Sequence, residues 1–120
     1  MKRIMQATAI AVLCVALTGC NEPTLDTTNV DTYKKSLEEM RSKITDAQRG
    51  QLWRAMERIK NHEGMKLIAE GKSPLEVMMK SEGKAKERMH GMTVDELIEE
   101  GEDAEKDRLE LAMEYQSHRS

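Results

Sequence analysis

The sequence predicts an all-α protein: a small four-helix, bundle-like domain over residues 30–120, behind an N-terminal leader (1–19) and a short flexible tether (20–29). Two patterns and the composition carry that reading. Apolar residues return at helical spacings, as in Leu37, Met40 and Ile44 or Leu52, Met56 and Ile59, and no stretch alternates apolar with polar residues as a half-buried strand would. Helix-start signatures punctuate the chain at Thr45–Gln48, Ser73–Glu76 and Thr93–Glu96. Among 120 residues there are ten Met, one Trp (Trp53), two Tyr (Tyr33, Tyr115) and no Phe, so the core must come from Leu, Ile, Val, Met and Ala. Met is flexible and fills irregular gaps, and a folded unit this small is held by a margin of a few kcal/mol.

The leader begins with Met1-Lys2-Arg3 and continues into a nine-residue apolar run, Ala9 to Leu17. A membrane-spanning helix needs about 20 apolar residues, so this shorter run reads as an export signal. It ends Leu17-Thr18-Gly19-Cys20 rather than in an Ala-x-Ala pattern. That ending resembles the bacterial lipobox: Leu, a small residue, Gly or Ala, then Cys. The resemblance implies cleavage between Gly19 and Cys20, a diacylglycerol on the Cys20 sulfur and an N-acyl chain on the new amino terminus. The residue types suit that chemistry, because Cys20 supplies the nucleophile and its small neighbours let an extended backbone enter an intramembrane protease. Cys14 leaves with the leader, so Cys20 is the single cysteine of the mature chain, and lipid consumes it. At about 0.8 kcal/mol per buried CH₂, two or three acyl chains form a stable anchor. Asn21 follows Cys20; an Asp there tends to retain Gram-negative lipoproteins in the inner membrane, so Asn implies outer-membrane delivery, facing the periplasm.

Residues 21–29 (NEPTLDTTN) are polar and aperiodic and read as tether. The first helix is expected from Val30 or Asp31 to about Lys43, with Tyr33 one turn before Leu37 on its apolar face. Thr45 and Gln48 open the second as a capping box, and Leu52, Met56 and Ile59 form its stripe, with Trp53 and Ala55 alongside. This helix is expected to reach Asn61 or beyond, with Gly64 weakening it and Gly71 ending its continuation. In the third, Ser73 is the cap, Pro74 takes the first position and Glu76 completes the box, while Gly83 is a candidate break and Gly91 a left-handed close. Thr93 and Glu96 box the fourth, and Met92 with Leu97 is spaced as a hydrophobic staple. That helix runs to about Tyr115, and small Gly101 and Ala104 on its apolar side invite a close neighbour.

The chain after the leader carries 17 Lys and Arg against 22 Asp and Glu, unevenly placed: residues 41–90 are net +5 and 91–120 net −7. Lys80, Lys84, Lys86 and Arg88 could face an anionic membrane or wall polymer. The reading adopted is that the acidic last helix neutralises the basic middle within one molecule. An exported, acidic chain does not suit a nucleic-acid partner. His62-Glu63 begins a zinc-protease pattern, but the second His would have to stand at position 66, which is Lys66. His90 and His118 are isolated, and there is neither a phosphate-binding glycine loop nor a G-x-S-x-G elbow. The residues therefore name no catalytic, metal or cofactor site beyond the lipid on Cys20, and the carboxylates of the last helix read as solvated.

Leu25-Asp26, Ser36-Leu37 with Met40, and Gly91-Thr93-Glu96-Leu97-Ile98 together resemble a family of small bacterial lipoproteins of unknown function. The likeness covers about 90 of 101 residues after the leader and is loose from Asn61 to Lys86. It implies fold and location and assigns no activity. The expected function is accordingly non-enzymatic: an envelope protein held to the membrane by lipid, binding another protein or modulating an envelope complex. The alternative is that a Met-lined helical groove takes lipid, peptidoglycan or another small ligand.

Overall fold

The computed structural model describes residues 22–119, so the leader, Gly19 and Cys20 lie outside the described residues. The described residues are 81% helical, with four helices and no strand among them. They are α1 (Val30–Ser42), α2 (Asp46–Ala69), α3 (Pro74–Met89) and α4 (Val94–Arg119). The capping boxes at Thr45–Gln48 and Thr93–Glu96 both form. At Ser73 only half of the expected box forms. Its hydroxyl accepts from the Glu76 amide, but the Glu76 carboxylate reaches forward to Lys80, one turn on, where a full charge is available. Gly71 and Gly91 take positive φ (84° and 81°), which glycine adopts without a Cβ clash, and each ends a helix. Gly64 and Gly83 interrupt nothing, because α2 and α3 run straight through them. The fourth helix extends past Tyr115 to Arg119.

The central element is α2, which makes the two most extensive helix–helix contacts, with α4 and with α3. It runs parallel to α4: Ala55 lies against Gly101, Arg58 pairs with Glu105, and Ile68 shares a cleft with Tyr115. It runs antiparallel to α3, since Gly64 meets Val77 and Ser81 while Met56 and Glu57 meet Ala85 and Met89 across a cleft. The expectation of a close approach at Gly101 is met: an added Cβ there would fall 2.6 Å from the Ala55 Cα and Cβ. Side chains of any size at that level would push the two helix axes apart.

One expectation needs correction. Residues 20–29 are not tether throughout. Leu25 is 0% exposed, inside a core formed with Met40, Leu52, Ile59, Met89, Val94, Leu97 and Ala104. Its backbone is also fixed, donating to the Met92 carbonyl (2.9 Å) and accepting from the Gly91 amide (2.7 Å). Asp26 N–H donates to Ser36 Oγ at 2.9 Å, and Thr27 N–H to His90 Nδ1 at 3.0 Å. Asn29 then caps α1, exchanging bonds with Thr32 in a third capping box. The domain therefore begins at Leu25. One apolar residue in a polar run gave no periodic signal, and Asn29–Thr32 departs from the Ser/Thr–Glu/Gln form of the motif.

Candidate functional site

The face where α1 crosses α2 carries the domain's single Trp. Antiparallel α1 presents Tyr33, Leu37 and Arg41 to Arg49, Leu52, Trp53 and Met56 of α2, and between them lies an open cleft of about 340 Å³. On the other side of Trp53, a second cleft of about 250 Å³ is bounded by Glu57 and Lys60 of α2 and by Glu82, Ala85, Lys86 and Met89 of α3. Tyr33, Trp53 and Met56 line both. Leu52 is buried beneath them, yet Trp53 is 66% exposed. Its position explains that: one residue step turns a helix by about 100°, which carries Trp53 off the Leu52–Met56–Ile59 stripe and over the edge of the core. The sequence placed Trp53 beside the stripe without marking it as a surface residue; the angular offset was the available signal.

Charged groups frame the groove. At the end nearer the α1–α2 turn stand Arg41 and Arg49; Arg49 Nε donates to the Arg41 carbonyl at 2.8 Å and pairs with exposed Asp46. Among the described residues no carboxylate pairs with Arg41. At the other end Lys86 Nζ sits 4.6 Å from the centre of the Tyr33 ring. Burial, then the charges of Glu82 and Glu57, push the Tyr33 phenol upward, so it stays protonated and able to donate. The arrangement can hold an apolar side chain against an indole and place hydrogen bonds and charges around it, as binding hot spots do. It brings together no nucleophile and base.

A second cluster lies between α2, α3 and α4. Arg88 Nε donates to Glu100 (2.6 Å), and Arg88 Nη1 donates to Glu63 (2.9 Å) and to His62 Nδ1 (2.8 Å). Lys66 completes it with a 2.8 Å contact to Glu63. Because a guanidinium only donates, His62 Nδ1 must accept, which fixes the neutral imidazole with its proton on Nε2. Burial, followed by the Arg88 and Lys66 charges, holds the His62 pKa below its ordinary value. Burial opposes the Glu63 charge, but hydrogen bonds from Lys66 and Arg88 outweigh it, and the net shift is downward. This cluster bears on two expectations. Arg88 points inward, apart from Lys80, Lys84 and Lys86, and pairs with the acidic last helix, as the adopted reading of neutralisation within one molecule expects. The carboxylates of the last helix are not all solvated, since Glu100 and Glu105 pair with Arg88 and Arg58. His62-Glu63 is thus an internal brace whose partners come from other helices, beyond what local sequence displays.

Of the remaining candidates, Gly19 and Cys20 lie outside the described residues, and His90 is taken up by Thr27. No group of three or more His, Cys, Asp or Glu is placed to hold a metal ion among the described residues. Nor is any described helix long and apolar enough to cross a membrane. The residues that carried the family resemblance converge on one corner: Leu25 on Gly91 and Met92, Asp26 on Ser36, Met40 and Leu97 in the core beneath. Their roles there are structural. Comparison of the chain with curated proteins and with solved structures gives no match. A family model matches residues 6–106, and on that match the chain belongs to a family of unknown function, DUF6694.

Proposed function

We propose that the protein is an exported, non-enzymatic envelope protein, held to a membrane through diacylglycerol and N-acyl chains on Cys20, whose helical domain binds another protein through the Trp53 groove. The observation that carries the binding reading is a large indole, 66% exposed, between two clefts in a domain otherwise poor in aromatic residues. Trp is the residue type most enriched among binding hot spots, and it supplies much contact area for little lost side-chain freedom. The lipobox-like Leu17-Thr18-Gly19-Cys20 supports the anchor, and the absence of Asp at position 21 supports the outer membrane.

Each half has its own test. Replacing Cys20→Ala is expected to abolish lipid attachment and release from the leader; unchanged processing and membrane retention would overturn the anchor. A photoreactive side chain at Lys60, on the rim of the groove, is expected to give a discrete adduct in intact cells that the same side chain at exposed Glu102 of α4 does not. Equal labelling from both positions, or none from Lys60, would overturn the groove. The alternative, a small ligand such as a fatty acid or muropeptide, is favoured by the apolar lining of Leu37, Leu52 and Met56. It requires a rise in melting temperature on adding that ligand.

A further inference from the structure

The chain between the attachment point and the folded domain is short, and where it leaves the domain is fixed. Glu22 and Pro23 line a cleft with Met40, Lys43, Ile44, Gln48, Val94 and Asp95, at the turn between α1 and α2. Leu25 locks the chain two residues later. Three residue steps separate Pro23 from Cys20, which span at most about 11 Å when fully extended. The headgroup layer on one side of a bilayer is itself about 5–8 Å thick. With Cys20 anchored as proposed above, the α1–α2 turn and the start of α4 beside it are kept within reach of the membrane surface. Trp53 stands seven residues beyond the start of α2, about 10 Å further along its axis.

From this we infer that the Trp53 groove is a membrane-proximal site, whose occupant is an apolar segment of a membrane-held protein, close to where that protein leaves the bilayer, with a carboxylate on its bilayer side. The inference rests on the lipid anchor and groove proposed above and adds the class of partner. Reach supplies the first argument: a site within about 20 Å of the bilayer meets juxtamembrane segments at an effective concentration that free proteins do not attain. Charge supplies the second. The groove is apolar along Tyr33, Leu37, Leu52 and Met56, and its bilayer-side end carries Arg41 and Arg49. Arg49 is partly satisfied by Asp46 and by a backbone carbonyl, while no carboxylate among the described residues pairs with Arg41. The far end is mixed, with Glu57 and Glu82 beside Lys60 and Lys86, and so sets no sign.

The test lengthens the leash and leaves the domain and anchor intact. In the full-length chain carrying the photoreactive side chain at Lys60, a flexible 20-residue Gly/Ser spacer (~25 Å root-mean-square span) is inserted after Glu22. Adduct yield is expected to fall roughly tenfold or more, with the spacer chain still in the membrane fraction, and Arg41→Glu on the native leash is expected to lower it several-fold. Undiminished yield with the spacer, or an adduct to a freely soluble protein, would overturn the inference while leaving the groove reading intact. An absent adduct from the native-leash chain would overturn both, and a native-leash chain found outside the membrane fraction would overturn the anchor on which the inference rests.

Discussion

The two halves of α2 bury different kinds of residue. Towards the α1–α2 turn it buries Leu52, Ala55 and Ile59, and Leu52 and Ile59 join Leu25, Met40, Val94, Leu97 and Ala104 in a continuous apolar core. Beyond Ile59 it buries His62, Glu63, Gly64 and Leu67, and the Arg88 cluster ties this half to α3 and α4 beside the approach of Gly64 to Val77 and Ser81. Most of the exposed large apolar side chains follow the same division: Ile68, Leu75, Met78, Met79, Leu109 and Met113 lie around the second half, while Val30 and Trp53 are exposed at the near one. Apolar burial is non-directional and insensitive to pH, whereas a charged brace depends on every partner being present and correctly protonated. The near half can thus hold a binding face steady, and the far half is conditional on its ion cluster.

The largest break in this comparison should come from the near half. Leu97→Ala, at a side chain with no exposure, is expected to cost about 2–5 kcal/mol, read by denaturant unfolding, with a loss that does not change across the neutral and mildly acidic range. In the far half, Arg88→Met removes the donor shared by Glu63, Glu100 and His62. Leaving buried Glu63 with Lys66 alone should cost about 2–3 kcal/mol. An unchanged unfolding midpoint would show that the cluster braces nothing. Also in the near half, Gly101→Ala sets a methyl 2.6 Å from Ala55. It should lose about 1–3 kcal/mol to overpacking, although Ala is the better helix former by about 1 kcal/mol.

A smaller effect follows from protonation. The His62 pKa lies below its unfolded value of 6.5, so as pH falls through that value the unfolded chain takes up the proton first. Stability is complete above pH 6.5 and declines below it until folded His62 also titrates. Glu63, also lowered from 4.5, adds stability above that pH and loses it as pH falls further, so both groups act in the same direction. His62→Gln retains an acceptor for Arg88 and should flatten the first part of the decline. A slope identical to that of the parent would reject the assignment.

The near half was the more legible in sequence, for a physical reason. Its stripe of Leu52, Met56 and Ile59 and its boxes at Thr45 and Thr93 are local, periodic signals, and they stand where the spacing placed them. Gly101 was legible too, because a small residue on an apolar face has few other purposes. Leu25 was not, since its partners Gly91 and Met92 lie more than 60 residues away. The Arg88 cluster escaped for the same reason: its five residues stand on three helices, and no spacing relates Arg88 or Glu100 to His62, Glu63 and Lys66. Trp53 could be read as helical, but its exposure depends on where short α1 crosses α2.

The smallest expected change in stability tests the central claim most directly. Trp53→Ala removes an exposed side chain, for which about 0.5 kcal/mol or less is expected, equivalent to a melting shift of roughly 2–4 °C at most. Measured together, the melting temperature and the adduct formed from a photoreactive side chain at Lys60 should separate: the first nearly unchanged, the second lost. An adduct of undiminished yield in the Trp53→Ala chain would contradict the account.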